Sequence, residues 1–156
     1  MDDSIATIKE RLRLAARVST AMADQEAASI AAGADLIATT FRAGGKLLLC
    51  GNGGSAADCQ HMTAELVGRL TCDMTRPGLP AIALTADTSF LTAYPNDLGF
   101  DGVFARQAQA LGPRGDVLIT ISTSAVSPNV LAAVDEAKRV RLSIVALLGE
   151  AGTLYP

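Results

Sequence analysis

The beginning of the chain carries apolar residues at helical spacing. In residues 5–18 and about 22–43, Ala, Leu and Ile recur every three or four positions, which predicts two amphipathic helices. Gly44-Gly45 follows the second stretch and supplies a stop signal. The pattern therefore predicts a pair of helices ahead of the first strand.

Beyond residue 45, short apolar runs alternate with helical segments. The runs have strand length and lie at 46–50, 80–84, 116–121 and 142–148. Further helices are predicted at 55–68, 88–94, 101–111 and 128–140, with a turn at Pro95-Asn96-Asp97. Because strands that are apolar throughout are buried on both faces, this alternation predicts an α/β fold whose parallel sheet lies between two layers of helices.

Composition narrows the class of protein. Hydrophobic residues make up 49% of 156 positions, enough for one domain, and no apolar run approaches the roughly 20 residues of a membrane helix. The acidic start, Asp2-Asp3, does not resemble a signal peptide, so we expect a cytoplasmic protein. A net charge of −3 with scattered basic residues argues against nucleic-acid binding. Cys50, Cys59 and Cys72 form no C-x-x-C pair and predict buried reduced thiols.

Hydroxyl side chains cluster directly after the third predicted strand. Ser122, Thr123 and Ser124 follow it, and Ser127-Pro128 then opens a helix with a good N-cap and a proline at the first helical position. The unpaired N–H groups and partial positive charge of a helix N-terminus can hold a phosphate dianion without a lysine. The alternative is an ordinary strand-to-helix turn rich in capping residues. The concentration of hydroxyl groups favours a phosphate site.

The loop after the first predicted strand is rich in glycine. Residues 51–55 match neither the dinucleotide fingerprint, whose third glycine would fall at Ala56, nor the P-loop, since no Lys-Ser or Lys-Thr follows. The glycines instead allow the backbone to approach a ligand closely, with Asn52 and Ser55 as polar contacts. Ser55 is also the predicted N-cap of the next helix, with Asp58 in a capping-box position.

A histidine and a carboxylate share one face of the helix that leaves this loop. His61 and Glu65 are four residues apart, and His61 is the only histidine of the chain. Such a pair can bind a divalent metal or supply acid–base groups, and the alternative is a surface ion pair. Its place after a glycine loop makes both interpretations worth testing.

Taken together and in this order, four motifs resemble the phosphoheptose isomerases, members of the sugar isomerase (SIS) fold. They are Cys50-Gly51-Asn52-Gly53-Gly54-Ser55, His61-x-x-x-Glu65, Asn96-Asp97-x-Gly99-Phe100, and Ser122-Thr123-Ser124 with Ser127. The resemblance implies a single SIS domain over 1–156, a three-layer α/β/α sandwich with two N-terminal helices. It also implies conversion of sedoheptulose 7-phosphate to D-glycero-D-manno-heptose 7-phosphate through an enediol, for the nucleotide-activated heptose of lipopolysaccharide. A homotetramer with sites between subunits and one zinc ion per site are implied as well.

The resemblance also assigns roles to individual residues. His61 and Glu65 become the zinc ligands and the catalytic residues, with Glu65 as the base that an enediol mechanism needs. Zinc could stabilise the developing oxyanion. The implied substrate-binding residues are Asn52, Gly53, Gly54, Ser55, Glu65, Asn96, Asp97, Ser122, Thr123, Ser124 and Ser127.

The sequence departs from the family pattern at three places. Ala125-Val126 replaces a glycine and a polar residue, which would strain the phosphate loop if that glycine has positive φ. Tyr94-Pro95 replaces a smaller, glycine-containing pair, so we expect a reshaped turn before Asn96. The family continues into a further strand and a long helix with a Gln and a His, leaving His61 and Glu65 as an incomplete ligand set here.

Three interpretations follow from the missing segment: a truncated isomerase, an enzyme completed by another chain, or a protein that binds sugar phosphate without turnover. A related non-catalytic branch associates with the bacterial replication initiator and lacks the carboxylate that matches Glu65. The presence of Glu65 therefore favours the isomerase over that branch. A sugar-phosphate sensor is a third possibility, which would bind its ligand through intact phosphate contacts and show no turnover.

Overall fold

The computed structural model describes residues 2–112 and 115–149, with side chains from residue 4 onward. Within these ranges the chain forms six helices and four strands. The helices are α1 (Asp2–Gln25), α2 (Ala27–Arg42), α3 (Gly54–Val67), α4 (Thr88–Leu98), α5 (Val103–Leu111) and α6 (Pro128–Val140). The strands are β1 (Leu47–Gly51), β2 (Ala81–Ala83), β3 (Val117–Ser122) and β4 (Ser143–Leu148). Each predicted strand is present, shifted or shortened by one or two residues.

The chain divides into two compact units, Met1–Leu36 and Ile37–Pro156. The first unit contains α1 and most of α2, which confirms the predicted pair of helices. α1 continues well past its predicted end because nothing interrupts it: the Ser19 and Thr20 hydroxyls donate to carbonyls four residues back, at 3.1 and 3.0 Å, inside the helix. None of the described helices is long and apolar enough to cross a membrane. The single domain implied for the whole chain stays a prediction.

The second unit is built on a parallel sheet with the strand order β2-β1-β3-β4. β1 and β3 are the central strands, and their side chains are almost fully buried because helices cover both faces. One face packs against α5 and α6. The buried residues of that core are Leu48, Cys50, Leu84, Val103, Phe104, Leu118, Val130, Ala133, Ala137 and Leu142. The predicted α/β fold with a parallel sheet is confirmed.

The strand order creates a switch point between β1 and β3. From β1 the chain crosses to β2 on one side, and the later strands are added on the other side, next to β1. Helices that follow β1 and β3 therefore leave the sheet in different directions, and a crevice opens between the carboxyl ends of these strands. Both loops that the sequence singled out begin at this crevice.

The turn predicted between α4 and α5 is wrong. Pro95-Asn96-Asp97 is not a turn between helices, since α4 continues through it to Leu98. Packing decides this: Tyr94 stacks on Phe90 with ring centroids 5.3 Å apart, and both rings lie against the core. The helix ends instead at Gly99, whose φ of 86° suits glycine and whose N–H donates to Pro95 O.

The thiol prediction is correct for two of the three cysteines. Cys50 and Cys59 are buried and free, whereas Cys72 is free but exposed. Cys72 follows the end of α3 in a segment without helix or strand, 68–80, where no layer covers it. The expectation of a buried thiol is therefore wrong for Cys72.

Candidate functional site

The two predicted ligand loops start side by side at the switch point. We call residues 51–55 the glycine loop and residues 122–127 the phosphate loop. Gly51, the last residue of β1, pairs with Ile121 of β3, one residue before the phosphate loop. A Cβ atom on Gly51 would lie 2.7 Å from Ile121 O and 2.8 Å from Ser55 Cβ. Glycine is therefore required here because the two loops approach so closely.

The helix after the glycine loop begins earlier than predicted. Gly53 is the N-cap of α3, with φ 57° and ψ −120°, a conformation that only glycine adopts easily. Ser55 consequently lies in the first turn of α3, where its N–H donates to Asn52 O at 3.0 Å, and no side chain caps the helix. The predicted N-cap role of Ser55, with its capping box to Asp58, is wrong. Ser55 remains beside the crevice.

The phosphate loop leads into α6 as predicted. Ser127 is the N-cap and Pro128 is the first helical residue. The Ser127 hydroxyl makes no capping hydrogen bond, and Thr123 and Ser124 are exposed. Ser122 is buried instead, and its Oγ accepts a hydrogen bond from the Ala125 N–H at 3.1 Å. The Ser124 Oγ accepts a long hydrogen bond from the Val126 N–H, at 3.5 Å, and can still donate its own O–H. The O–H groups of Thr123, Ser124 and Ser127 can therefore face a ligand, while Ser122 shapes the loop.

Ala125 has the positive φ that glycine adopts more easily, as the departure from the family pattern predicts. Its φ is +58°, a left-handed value that is unfavourable for a residue with a Cβ atom. Its methyl group is buried, which offsets part of that cost. The phosphate loop therefore holds an alanine in a backbone conformation that glycine adopts more easily.

An asparagine outside the four motifs links the glycine loop to the helix that follows the phosphate loop. Asn129, the second residue of α6, is 2% exposed. Its Nδ2 donates to Asn52 Oδ1 at 2.8 Å, and Asn52 Nδ2 donates back to Asn129 Oδ1 at 2.8 Å. No spacing rule points to this pair, since its members are 77 positions apart. The Asn52–Asn129 pair ties the glycine loop to the start of α6.

His61 and Glu65 lie further along α3. His61 Nδ1 and Glu65 Oε1 are 4.0 Å apart, and the side chains are 75% and 29% exposed. Glu65 Oε2 is buried and has no hydrogen-bond partner in the described part of the chain. Both residues line a largely apolar cavity of about 300 Å³ whose walls include Leu47 and Ile119 of the sheet. A buried carboxylate oxygen without a donor is costly unless a ligand or proton satisfies it.

The comparisons with known proteins agree with this geometry. The SIS domain family matches residues 12–149. The phosphoheptose isomerase of Chlorobaculum parvum is 53% identical over 150 residues, covering 96% of this chain and 72% of that protein. The enzyme of the same name from Desulfovibrio desulfuricans is 48% identical, covering 97% and 71%. The chain belongs to the phosphoheptose isomerase family.

Solved structures of the family have the same architecture. A phosphoheptose isomerase from Francisella tularensis superposes with a TM-score of 0.90 at 38% identity, covering 97% of this chain and 78% of that one. The phosphoheptose isomerase from Neisseria gonorrhoeae gives a TM-score of 0.73 at 44% identity, covering 92% and 78%. The SIS-type sandwich implied by the motifs is therefore confirmed.

The zinc ion that the resemblance implies does not fit the described residues alone. His61 and Glu65 could hold a divalent ion, and the unpartnered Glu65 oxygen suits a ligand. Across residues 2–112 and 115–149, however, no three His, Cys, Asp or Glu side chains come together. Catalytic zinc sites use three protein ligands, so the set is incomplete here.

The sugar contacts implied by the resemblance, Asn96 and Asp97, form no hydrogen bond with either loop in the described part of the chain. Asn96 and Asp97 lie in the last turn of α4, are exposed, and bond to each other at 2.9 Å. Neither makes a hydrogen bond to the glycine loop, the phosphate loop or Glu65 within the described residues. Tyr94, just before them, packs so tightly over Gly102 that a Cβ there would overlap its hydroxyl. Their role as sugar contacts stays a prediction.

Proposed function

We propose that this chain isomerises sedoheptulose 7-phosphate to D-glycero-D-manno-heptose 7-phosphate. The observation that carries the proposal is the buried, unpartnered carboxylate oxygen of Glu65 on the helix that leaves the crevice between the glycine and phosphate loops. The relatives reported above are named phosphoheptose isomerases, which supports the same reaction. The proposed reaction would supply the heptose phosphate from which nucleotide-activated heptose is made.

In this proposal the phosphate loop holds the phosphate group of the sugar. The hydroxyls of Thr123, Ser124 and Ser127 are available to it, and the start of α6 contributes N–H groups and a partial positive charge. Nearby basic side chains are not required, which agrees with the mildly acidic chain. In the glycine loop, Asn52, Gly53, Gly54 and Ser55 contact the substrate at the other wall of the crevice.

Glu65 is the proposed base. Its carboxylate removes a proton from C1 of the ketose while the C2 oxygen takes up a proton, giving the enediol. Delivery of a proton to C2 and loss of the C1 hydroxyl proton then give the aldose. His61, at 4.0 Å from Glu65, is the nearby group that can exchange a proton with the sugar oxygens. Within the described residues the buried Glu65 Oε2 accepts no hydrogen bond, so it is free to accept the proton.

The proposal is tested by assaying aldose formation from sedoheptulose 7-phosphate with the chain as it stands. Glu65→Gln should lower kcat by at least about 100-fold, the usual contribution of a general base. Glu136→Gln is the matched control, because Glu136 lies on α6 in a surface pair with Arg139 at 2.6 Å. No turnover by the parent chain, with or without added zinc, would contradict the proposed activity. Binding of the sugar phosphate without turnover would favour the sensor, and the absence of both would favour the non-catalytic branch.

The zinc ion, the homotetramer and the cytoplasmic location that the motifs imply stay proposals. Zinc would need a third ligand beyond His61 and Glu65, so no step above depends on it. A homotetramer is supported by the exposed apolar stripe of α1, which includes Ile5, Ile8 and Leu12. A cytoplasmic location is supported by the biosynthetic role of the family.

A further inference from the structure

We infer that Asn129 is a positioning residue for substrate binding, which acts by holding the Asn52 side chain in the crevice. The inference rests on the proposed function, because Asn52 is one of its substrate contacts. Asn129 itself is buried and is offered no role by the motifs. What it contributes is the orientation of another side chain.

The geometry is that of a two-point attachment. Each amide donates one N–H to the oxygen of the other, both at 2.8 Å, so the two planar groups close a ring of hydrogen bonds. One hydrogen bond would leave the Asn52 amide free to rotate about it, whereas two fix its plane. Asn129 is almost fully buried in α6, so its side chain is held in place and in turn orients the more exposed Asn52.

The pair leaves Asn52 able to bind a ligand. An asparagine amide has two N–H donors and two acceptor lone pairs, and the pair uses one of each. Asn52 is exposed at the end of β1, so its second N–H and second lone pair remain available to a sugar hydroxyl. Without Asn129 the side chain would have to be ordered when substrate binds, and that entropy would weaken binding.

The same contact also joins the two ligand loops. Asn52 belongs to the glycine loop, and Asn129 lies two residues after Ser127 at the start of α6. The contact therefore links the glycine loop to the helix that continues from the phosphate loop. A second cross-link, from Lys46 to Asp116, lies just before β1 and β3, at the opposite end of these strands, and touches neither loop. It provides a control for purely structural effects.

The experiment is a double-mutant cycle on the full chain: Asn52→Ala, Asn129→Ala and the double variant. KM and kcat for sedoheptulose 7-phosphate are measured together with its Kd by calorimetry. Asn129→Ala should raise KM and Kd about tenfold, the effect of losing hydrogen bonds of ordinary strength, while kcat changes less than about threefold. The double variant should be no weaker than Asn52→Ala, because Asn129 acts only through Asn52.

Two further variants guard against a trivial result. Asn129→Leu keeps the side-chain shape and buries no unpaired polar group, so it should fold and still show the tenfold loss. Asp116→Asn weakens the other cross-link and should lower stability without changing KM. An unchanged KM in Asn129→Leu, or effects of Asn52→Ala and Asn129→Ala that multiply in the double variant, would overturn the inference.

Failure of the inference is distinguishable from failure of the proposed function. If the parent chain turns over the sugar phosphate and the cycle is additive, the inference alone is wrong. If the parent chain binds the sugar phosphate without turnover, the proposed activity is wrong. The inference is then tested by comparing the Kd values of the variants in the double-mutant cycle. If it neither binds nor turns over the sugar phosphate, both are wrong.

Discussion

At the scale of single residues, Ala125 shows how two local effects compete. A left-handed φ costs a non-glycine residue about 1–2 kcal/mol, whereas burying one methyl group contributes about 0.8 kcal/mol. Ala125→Gly should therefore be neutral or stabilise the fold by up to about 1 kcal/mol. Ala125→Val adds a β-branched side chain at the same φ and should destabilise the fold by about 2 kcal/mol or more. Urea denaturation measures both changes.

The outcome that would contradict this prediction is a clear loss of stability in Ala125→Gly. It would mean that the buried methyl, not the backbone strain, decides the energy of the phosphate loop. Binding of the sugar phosphate serves as the second measurement. The glycine variant should keep it, because the Ser122 hydroxyl still accepts from the backbone N–H of residue 125.

The two buried cysteines predict a loss of stability at high pH. Burial, followed by the charge of Asp58, raises the pKa of Cys59 to about 12, and burial raises the pKa of Cys50 as well. The unfolded chain ionises these thiols from the ordinary value of 9.0, whereas the folded chain keeps them protonated. The free energy of unfolding should therefore fall as the pH rises from about 9 to about 12.

Substitution and thiol labelling check this prediction. Cys59→Ala removes one of the two groups and should make the alkaline loss smaller. At neutral pH one thiol, that of exposed Cys72, should react quickly with a disulfide reagent, and Cys72→Ser should abolish that fast reaction. Rapid labelling of three thiols in the folded chain would contradict the burial of Cys50 and Cys59.

At the scale of elements, a partly buried ion pair joins the residues just before the two central strands. Lys46 Nζ lies 2.6 Å from Asp116 Oδ2, and the Lys46 backbone N–H donates to Asp116 Oδ1 at 2.9 Å. Asp116 is 4% exposed in its side chain, so removing its carboxylate leaves an ammonium group and an amide without their partner. Asp116→Ala should destabilise the fold by about 3 kcal/mol.

The asparagine variant separates the two contacts. Asp116→Asn keeps an oxygen for the backbone bond and loses the charge, so we expect a smaller cost of about 1–2 kcal/mol. Denaturant unfolding provides the numbers, and KM should not change because the pair is remote from both ligand loops. An alanine variant as stable as the parent chain would show that the pair contributes nothing.

Elements also show why local patterns predict boundaries poorly. Proline and asparagine at 95–97 predict a turn, yet α4 continues because the rings of Phe90 and Tyr94 pack against the core. Ser55 is a good N-cap by type, yet α3 begins one residue earlier because Gly53 adopts a conformation that other residues avoid. In both cases a tertiary or backbone constraint outweighed a local preference of about 1 kcal/mol.

At the scale of the whole molecule, the apolar stripe of α1 predicts self-association. Ile5, Ile8 and Leu12 recur every three or four residues and are 49–67% exposed. Leu12→Glu should shift the proposed tetramer towards smaller species, because a charge would be buried in the contact. Arg17→Glu, on the opposite side of the helix, is the matched control. Sedimentation equilibrium measures the mass, compared with 16.0 kDa for one chain.

A parent chain that sediments as a monomer at all concentrations would contradict the tetramer. It would leave the exposed stripe without a partner and would also test whether the site needs groups from another copy. Comparing turnover across the same concentration range shows whether activity follows assembly. Activity that is proportional to chain concentration throughout would show that one copy suffices.

The sequence by itself determined the elements, the family and the chemical character of the loops. Helical and continuous apolar periodicities depend on neighbouring residues, so the strands after residue 45 and the hydroxyls of 122–127 could be recognised locally. The possible strain at Ala125 could also be predicted, since alanine has a Cβ atom and glycine does not, which makes positive φ unfavourable for alanine. Those statements need no knowledge of which elements touch.

Only the tertiary structure decided how the site is assembled. The Asn52–Asn129 pair joins residues 77 positions apart, so no local pattern contains it. The buried oxygen of Glu65 depends on which face of α3 meets the sheet, and an i, i+4 spacing leaves that face open. Ser122 points inward, where its Oγ accepts a hydrogen bond from the Ala125 N–H. Contacts between distant residues arise from packing, and packing is a property of the whole fold.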